Sequence, residues 1–300
     1  MREEIKGLLH KEGPLTGKEI HESIRKDILE LWKACNTCND IVLHTVATRY
    51  LRLDKHVEGY ARLSPSILRE FYSYTVVGLK NQSKALSDKS QQIHEGILQI
   101  SKNKLNLALT TVARIVENLQ DASLIRDRAC FMISGDVAYG MAHLEPRPEF
   151  STGKLVNGSD LDIVVVYENL PGEISESLDS AIYEQKYFLL NNPSYKEEID
   201  YVIKDISKVQ TQLAFSDFKS MVASKVLEES LFLYGNRDLF LEIKNMAAAR
   251  GIPKQLATLY DNAMKERENA RQQLLALNST FHGADTLNLF YSNDEREEFY

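Results

Sequence analysis

The chain has 300 residues, 43% of them hydrophobic and 26% charged, with seven prolines and a net charge of −7. That length predicts two or three folded units and burial of roughly three quarters of the unfolded surface, and the composition excludes a disordered or fibrous chain. No apolar run approaches the roughly 20 residues of a membrane span, and the start Met1-Arg2-Glu3-Glu4 lacks a secretory apolar segment, so a cytoplasmic protein without membrane contact is expected.

In chain order, "EEIKGLLHKEG" carries apolar positions at helical spacing, and Thr16 followed three residues later by Glu19 predicts the capped start of a second short helix. A longer helix is expected from about Ile28 to Tyr50, then a hairpin over "YLRLDKHVEGYARLS" that turns at Glu58-Gly59. Helix, helix, helix, hairpin over residues 1–79 is the order of a winged helix; a small helical cap on the rest is the alternative. In the winged-helix reading Arg49 and Arg52 end the third helix while Lys55 and Arg62 sit on the wing, which makes DNA a candidate partner. Residues 1–80 carry 13 Lys/Arg against 11 Asp/Glu, and 81–300 carry 23 against 32, so any nucleic-acid footprint belongs to the N-terminal part and is weak. Cys35-x-x-Cys38 has no second pair at zinc spacing, and with Cys130 it reads as ordinary thiols in a reducing compartment.

A polar-rich linker helix is expected over 82–120. Strands at 129–135, 160–167 and 198–206 then alternate with a short helix from Val137, a loop at 144–158 and a helix at 173–191, a pattern of sheet and helix in one core. From Asp217 onward the reading is helical in two blocks, and 279–300, with five acidic and one basic residue, reads as a loose tail. The expected fold is α+β: a core at 80–215 that includes the linker helix, an N-terminal winged-helix-like domain at 1–79, and a C-terminal helical region at 216–300.

The chemistry concentrates in "GSDLDIVVVYE". Asp160 and Asp162 are two apart on a strand, so they share a face while Leu161 and Ile163 take the other. Two such carboxylates repel each other unless a cation lies between them, and their hard oxygens suit Mg²⁺. Asp200 opens a third apolar strand, Tyr201-Val202-Ile203, and three acids on adjacent strands suit two metal ions about 4 Å apart in phosphoryl transfer. Solvated strand-end acids with no shared role are the alternative.

"Gly135-Asp136-Val137-Ala138-Tyr139-Gly140" followed by "Gly158-Ser159-Asp160-Leu161-Asp162-Ile163" resembles the signature of the DNA polymerase β-type nucleotidyltransferase superfamily, over roughly residues 110–235. The resemblance implies that Asp160 and Asp162 hold the Mg²⁺ of an NTP, and that Asp200 completes a second metal site and helps deprotonate an acceptor hydroxyl. It implies nucleotide contacts at Gly135, Asp136 and Ser159, with Lys219 and Lys225 as candidates for the triphosphate. Where the superfamily usually has serine, this chain has Asp136, read as a helix cap, with metal contact or altered nucleotide binding as alternatives. The loop 144–158 is longer than small members need; Arg147 and Lys154 either touch substrate phosphates or are solvated, and His143 reads as a surface residue.

These features predict NMP transfer from an NTP to an acceptor hydroxyl, with a protein or RNA favoured as acceptor because of the added N-terminal unit. Two alternatives remain: a winged-helix regulator with a nucleotide-sensing or inactive domain, and a synthase of a nucleotide second messenger.

Overall fold

The computed structural model describes residues 1–149, 151–277 and 288–290, so the expected acidic tail lies outside the described residues apart from 288–290. The chain divides into two compact units, one of residues 1–96 with 259–300 and one of residues 97–258. The region 216–300, read from the sequence as one piece, is therefore shared between them, and the boundary expected near residue 80 falls after Gly96, inside a long helix.

The first unit runs α1 (Arg2–Glu12), β1 (Leu15–Thr16), α2 (Gly17–Ile24), α3 (Ile28–Thr37), β2 (Ile41–Thr45), β3 (Tyr50–Leu53), β4 (Ala61–Ser64), α4 (Ile67–Tyr74) and β5 (Thr75–Leu79). β5 is the middle strand of an antiparallel sheet ordered β1-β5-β2, and β3 pairs with β4 in the expected hairpin. The predicted capping box starts α2: the Glu19 amide donates to Thr16 Oγ1 at 3.2 Å, and the Thr16 amide to the Glu19 carboxylate at 2.7 Å. Asp27 caps α3, its carboxylate accepting from the Glu30 amide at 2.9 Å, but the helix ends at Thr37 rather than near Tyr50. Asn39 and Asp40 turn the chain, and the β-branched pair Ile41-Val42 opens a strand that gains its hydrogen bonds from β5, a partner 30 to 38 residues away. Arg49 consequently precedes β3 and Arg52 lies within it, not at the end of α3. Ile5, Leu9, Ile20, Leu31, Trp32, Phe71 and Leu274 build the core of this unit; Cys35 is buried there, and burial pushes its thiol up to about 12.

α5 (Ser83–Glu117) leads into the second unit, followed by α6 (Ala122–Arg128), β6 (Ala129–Ile133), α7 (Gly135–Tyr139), β7 (Pro146–Pro148), β8 (Leu155–Asn157), β9 (Leu161–Tyr167), α8 (Gly172–Asn191), β10 (Ile199–Asp205), α9 (Ile206–Gln212), α10 (Phe218–Glu229), β11 (Leu231–Gly235), α11 (Arg237–Ala249) and the start of α12 (Ile252–Ala276), which belongs to the first unit from Leu259 onward. The sheet order is β10-β9-β6-β11: β9 and β10 are parallel, joined by the crossover helix α8, while β6 is antiparallel to both of its neighbours. Leu161, Ile163 and Val165 of β9 join Ala108, Val112 and Val116 of α5 and Leu178 and Ile182 of α8 in one core, and Val164 and Val166 on the other face of the strand are buried as well. The fold is α+β with mixed strand directions.

Two corrections apply to this unit. The stretch after Asp217 is not wholly helical: "LFLYG" is the strand β11, which covers the edge of β6 through pairs such as Phe232↔Met132 and a ring contact of Phe131 with Tyr234. A run of five residues is too short for periodicity to separate strand from helix; the open edge of β6 decides it. The expected loop 144–158 contains the small hairpin β7–β8, and the Glu149 carboxylate at its turn accepts from the amides and hydroxyls of Ser151 and Thr152, which hold its pKa down at about 2.

Candidate functional site

Asp160 immediately precedes β9, Asp162 lies on β9, and Asp200 lies on β10 in direct register with Asp162. A parallel pair presents equivalent strand ends on the same side, so the three acids converge, each offering a carboxylate oxygen within 4.8 Å of the others. Asp160 and Asp162 are half-buried and Asp200 is exposed. That donor set fits Mg²⁺, a hard cation that takes carboxylate oxygens together with water or phosphate oxygens.

The glycine turn closes one side of the cluster. The Ser134 amide donates to the Asp162 carbonyl at 2.9 Å, which carries the chain leaving β6 across the start of β9. Gly135 follows with φ +65°, and a Cβ there would lie 1.9 Å from Asp162 Oδ2, so the carboxylate rests where any side chain would be. Gly158, at φ +63°, plays the matching part at the other approach, since a Cβ would meet the His143 carbonyl oxygen at 2.0 Å.

Asp136 does not cap α7. Ser134 holds the N-cap position, and the Asp136 carboxylate accepts from the Ser159 hydroxyl at 2.8 Å. Ser159 is buried and spends its other contacts on His143: its Oγ accepts from the His143 amide at 3.2 Å and its own amide donates to the His143 carbonyl at 3.1 Å. Asp136 and Ser159 thus tie the glycine turn to the loop that delivers Asp160, and His143 contributes to that tie through its backbone.

Arg147, on β7, reaches the cluster. Its Nε donates to the Gly158 carbonyl at 2.8 Å, and its Nη2 lies 2.8 Å from Glu198 Oε2 and 3.6 Å from Asp160 Oδ2. Burial pushes the Asp160 carboxyl above its ordinary range, the Arg147 charge opposes that, and the charges of Asp136 and Asp200 add to it. Lys154 turns instead to the Asn191 side chain. Lys219 is exposed on the first turn of α10, whereas Lys225 donates to the Tyr139 hydroxyl at 2.9 Å, pairs with Glu229 and stands over the Tyr139 ring.

Comparison with known protein families, curated proteins and solved structures returned no match.

Three charged residues around the start of β10 were not singled out from the sequence. Glu197 and Glu198 precede β10, and Lys104 of α5 donates to Glu197 Oε2 at 2.6 Å and to the Asn157 carbonyl at 2.8 Å. The signal for Lys104 was its position: it falls in line with the buried Ile97, Ser101, Ala108 and Val112, and a charge on a buried helical stripe requires a partner.

Proposed function

We propose that this chain is a Mg²⁺-dependent nucleotidyltransferase that moves NMP from an NTP to an acceptor hydroxyl on a protein or RNA and releases pyrophosphate. The observation that carries the reading is the convergence of Asp160, Asp162 and Asp200 within 4.8 Å, next to a glycine turn that leaves no room for a side chain against Asp162. Asp160, Asp162 and Asp200 would hold the metal, which when bound supplies Lewis-acid polarisation of the phosphate oxygens and offsets transition-state charge. Asp200, the exposed member, receives the proton from the acceptor hydroxyl. The backbone at Gly135 accommodates the nucleotide phosphates. Lys219 is the readier contact for the triphosphate, because the Lys225 ammonium already serves Tyr139 and Glu229.

Residues 1–79 are read as a winged-helix-like docking module. The order α1-β1-α2-α3-β2-β5 with the sheet β1-β5-β2 supports this, with the β3–β4 hairpin and α4 inserted before the last strand. Two of the arginines that would grip a duplex are neutralised within the fold: Arg49 makes a forked pair with Glu70 at 2.7 and 2.9 Å, and Arg62 meets Asp54 at 3.1 Å. That favours a macromolecular acceptor over DNA as the partner of this unit.

Incubation with each labelled NTP and Mg²⁺, with and without cell lysate, tests the assignment. Transfer of label with pyrophosphate release is expected, and its loss in Asp162→Asn. Release of pyrophosphate that survives Asp162→Asn, or none with any NTP, refutes it.

A further inference from the structure

Arg147 comes from the β7–β8 hairpin yet is fixed at the mouth of β9 by the Gly158 carbonyl at 2.8 Å and by Glu198 at 2.8 Å. Those two anchors set its guanidinium 3.6 Å from the Asp160 carboxylate, where it supplies positive charge to a cluster of three acids. The side chain is only 18% exposed, so the charge is little screened by water. The hairpin that carries it is itself braced by the four contacts of Glu149 at its turn.

We propose that Arg147 is the built-in counter-cation of the aspartate cluster, that it competes with free divalent metal, and that the site therefore loads when metal arrives together with nucleotide phosphates. The proposal rests on the nucleotidyltransferase reading and adds a regulation of its metal site. A guanidinium beside a carboxylate lowers the attraction of that carboxylate for a second cation. A polyphosphate reverses the balance, because it brings charge for the metal and an alternative forked acceptor for the guanidinium.

The test titrates Mn²⁺ alone into the full chain and its Arg147→Gln, Arg147→Lys and Asp160→Asn variants without nucleotide. Free Mn²⁺ is read by electron paramagnetic resonance, and folding is checked by thermal unfolding. Arg147→Gln should bind Mn²⁺ at least about tenfold more tightly than the parent, while Arg147→Lys, which keeps the charge, should stay within about threefold of it. A non-hydrolysable NTP analogue should narrow the gap between the parent and Arg147→Gln. Equal or weaker binding by Arg147→Gln, with binding still weakened by Asp160→Asn, overturns the counter-cation role and leaves the metal centre standing. If Arg147→Lys matches Arg147→Gln, the charge is not the cause. Absence of saturable Mn²⁺ binding in every variant overturns the metal centre itself, and the proposal with it. A gap that persists unchanged with the analogue refutes loading by metal and nucleotide together.

Discussion

Lys104→Met should be among the most damaging single changes outside the aspartates. Lys104 Nζ lies 2.6 Å from Glu197 Oε2, and the two side chains are 3% and 9% exposed, so neither charge has water to turn to. Removing one partner of a buried pair leaves the other uncompensated, at a cost of about 3–5 kcal/mol. At about 2–4 °C per kcal/mol for a unit of this size, the melting temperature should fall by about 6–20 °C. Burial already holds the Glu197 carboxyl above its ordinary range against the opposing Lys104 charge, and without Lys104 it rises further. The folded state then binds the Glu197 proton more tightly than the unfolded chain, so the loss should be smallest in acid and grow as pH rises through the folded-state pKa. Lys104→Met combined with Glu197→Leu should recover most of the stability, since two apolar groups can replace a buried pair at little cost. Denaturant and thermal unfolding of the full chain at pH 5 and pH 7.5 are the assays. A loss below about 1 kcal/mol, or a double variant worse than the single one, would refute the reasoning.

Gly135→Ala should destabilise by about 1–2 kcal/mol from the left-handed backbone alone, and should weaken Mn²⁺ binding because the new methyl displaces the Asp162 carboxylate; parental Mn²⁺ affinity would contradict the close packing of turn and acid. Lys204, buried on β10 with its Nζ 3.0 Å from Gln212 Oε1, has its pKa pushed down to about 8 by burial. The unfolded chain therefore holds this proton more tightly than the folded one, and the Lys204 contribution to stability improves as pH rises from about 8 towards the ordinary lysine value of about 10.4. Lys204→Met should raise stability at pH 7 by about 1–3 kcal/mol and remove that part of the slope, as read from paired unfolding curves at pH 7 and pH 10.

The features that sequence alone determined are local or periodic. Thr16 with Glu19 specified a helix start because both partners of the capping box lie within one turn. The two-residue period of a strand specified that Asp160 and Asp162 share a face opposite Leu161 and Ile163, while the apolar run Ile163–Val166 is buried on both faces. The convergence of Asp200 with them was an inference from order along the chain, and the parallel register Asp200↔Asp162 is a pairing across 38 residues that only the folded sheet supplies. Tertiary structure likewise decided what short apolar runs could not. "IVLHT" became β2 and "LFLYG" became β11 because β5 and β6 offered open edges, and the hydrogen bonds gained there outweighed a weak helical pattern. It also decided the company each charge keeps. Lys104 lies 93 residues from Glu197, and Arg147 precedes both Asp160 and the more distant Glu198; a lone basic residue in a sequence carries no mark of its partner. Burial makes an unpaired charge costly, and the fold chooses the partner.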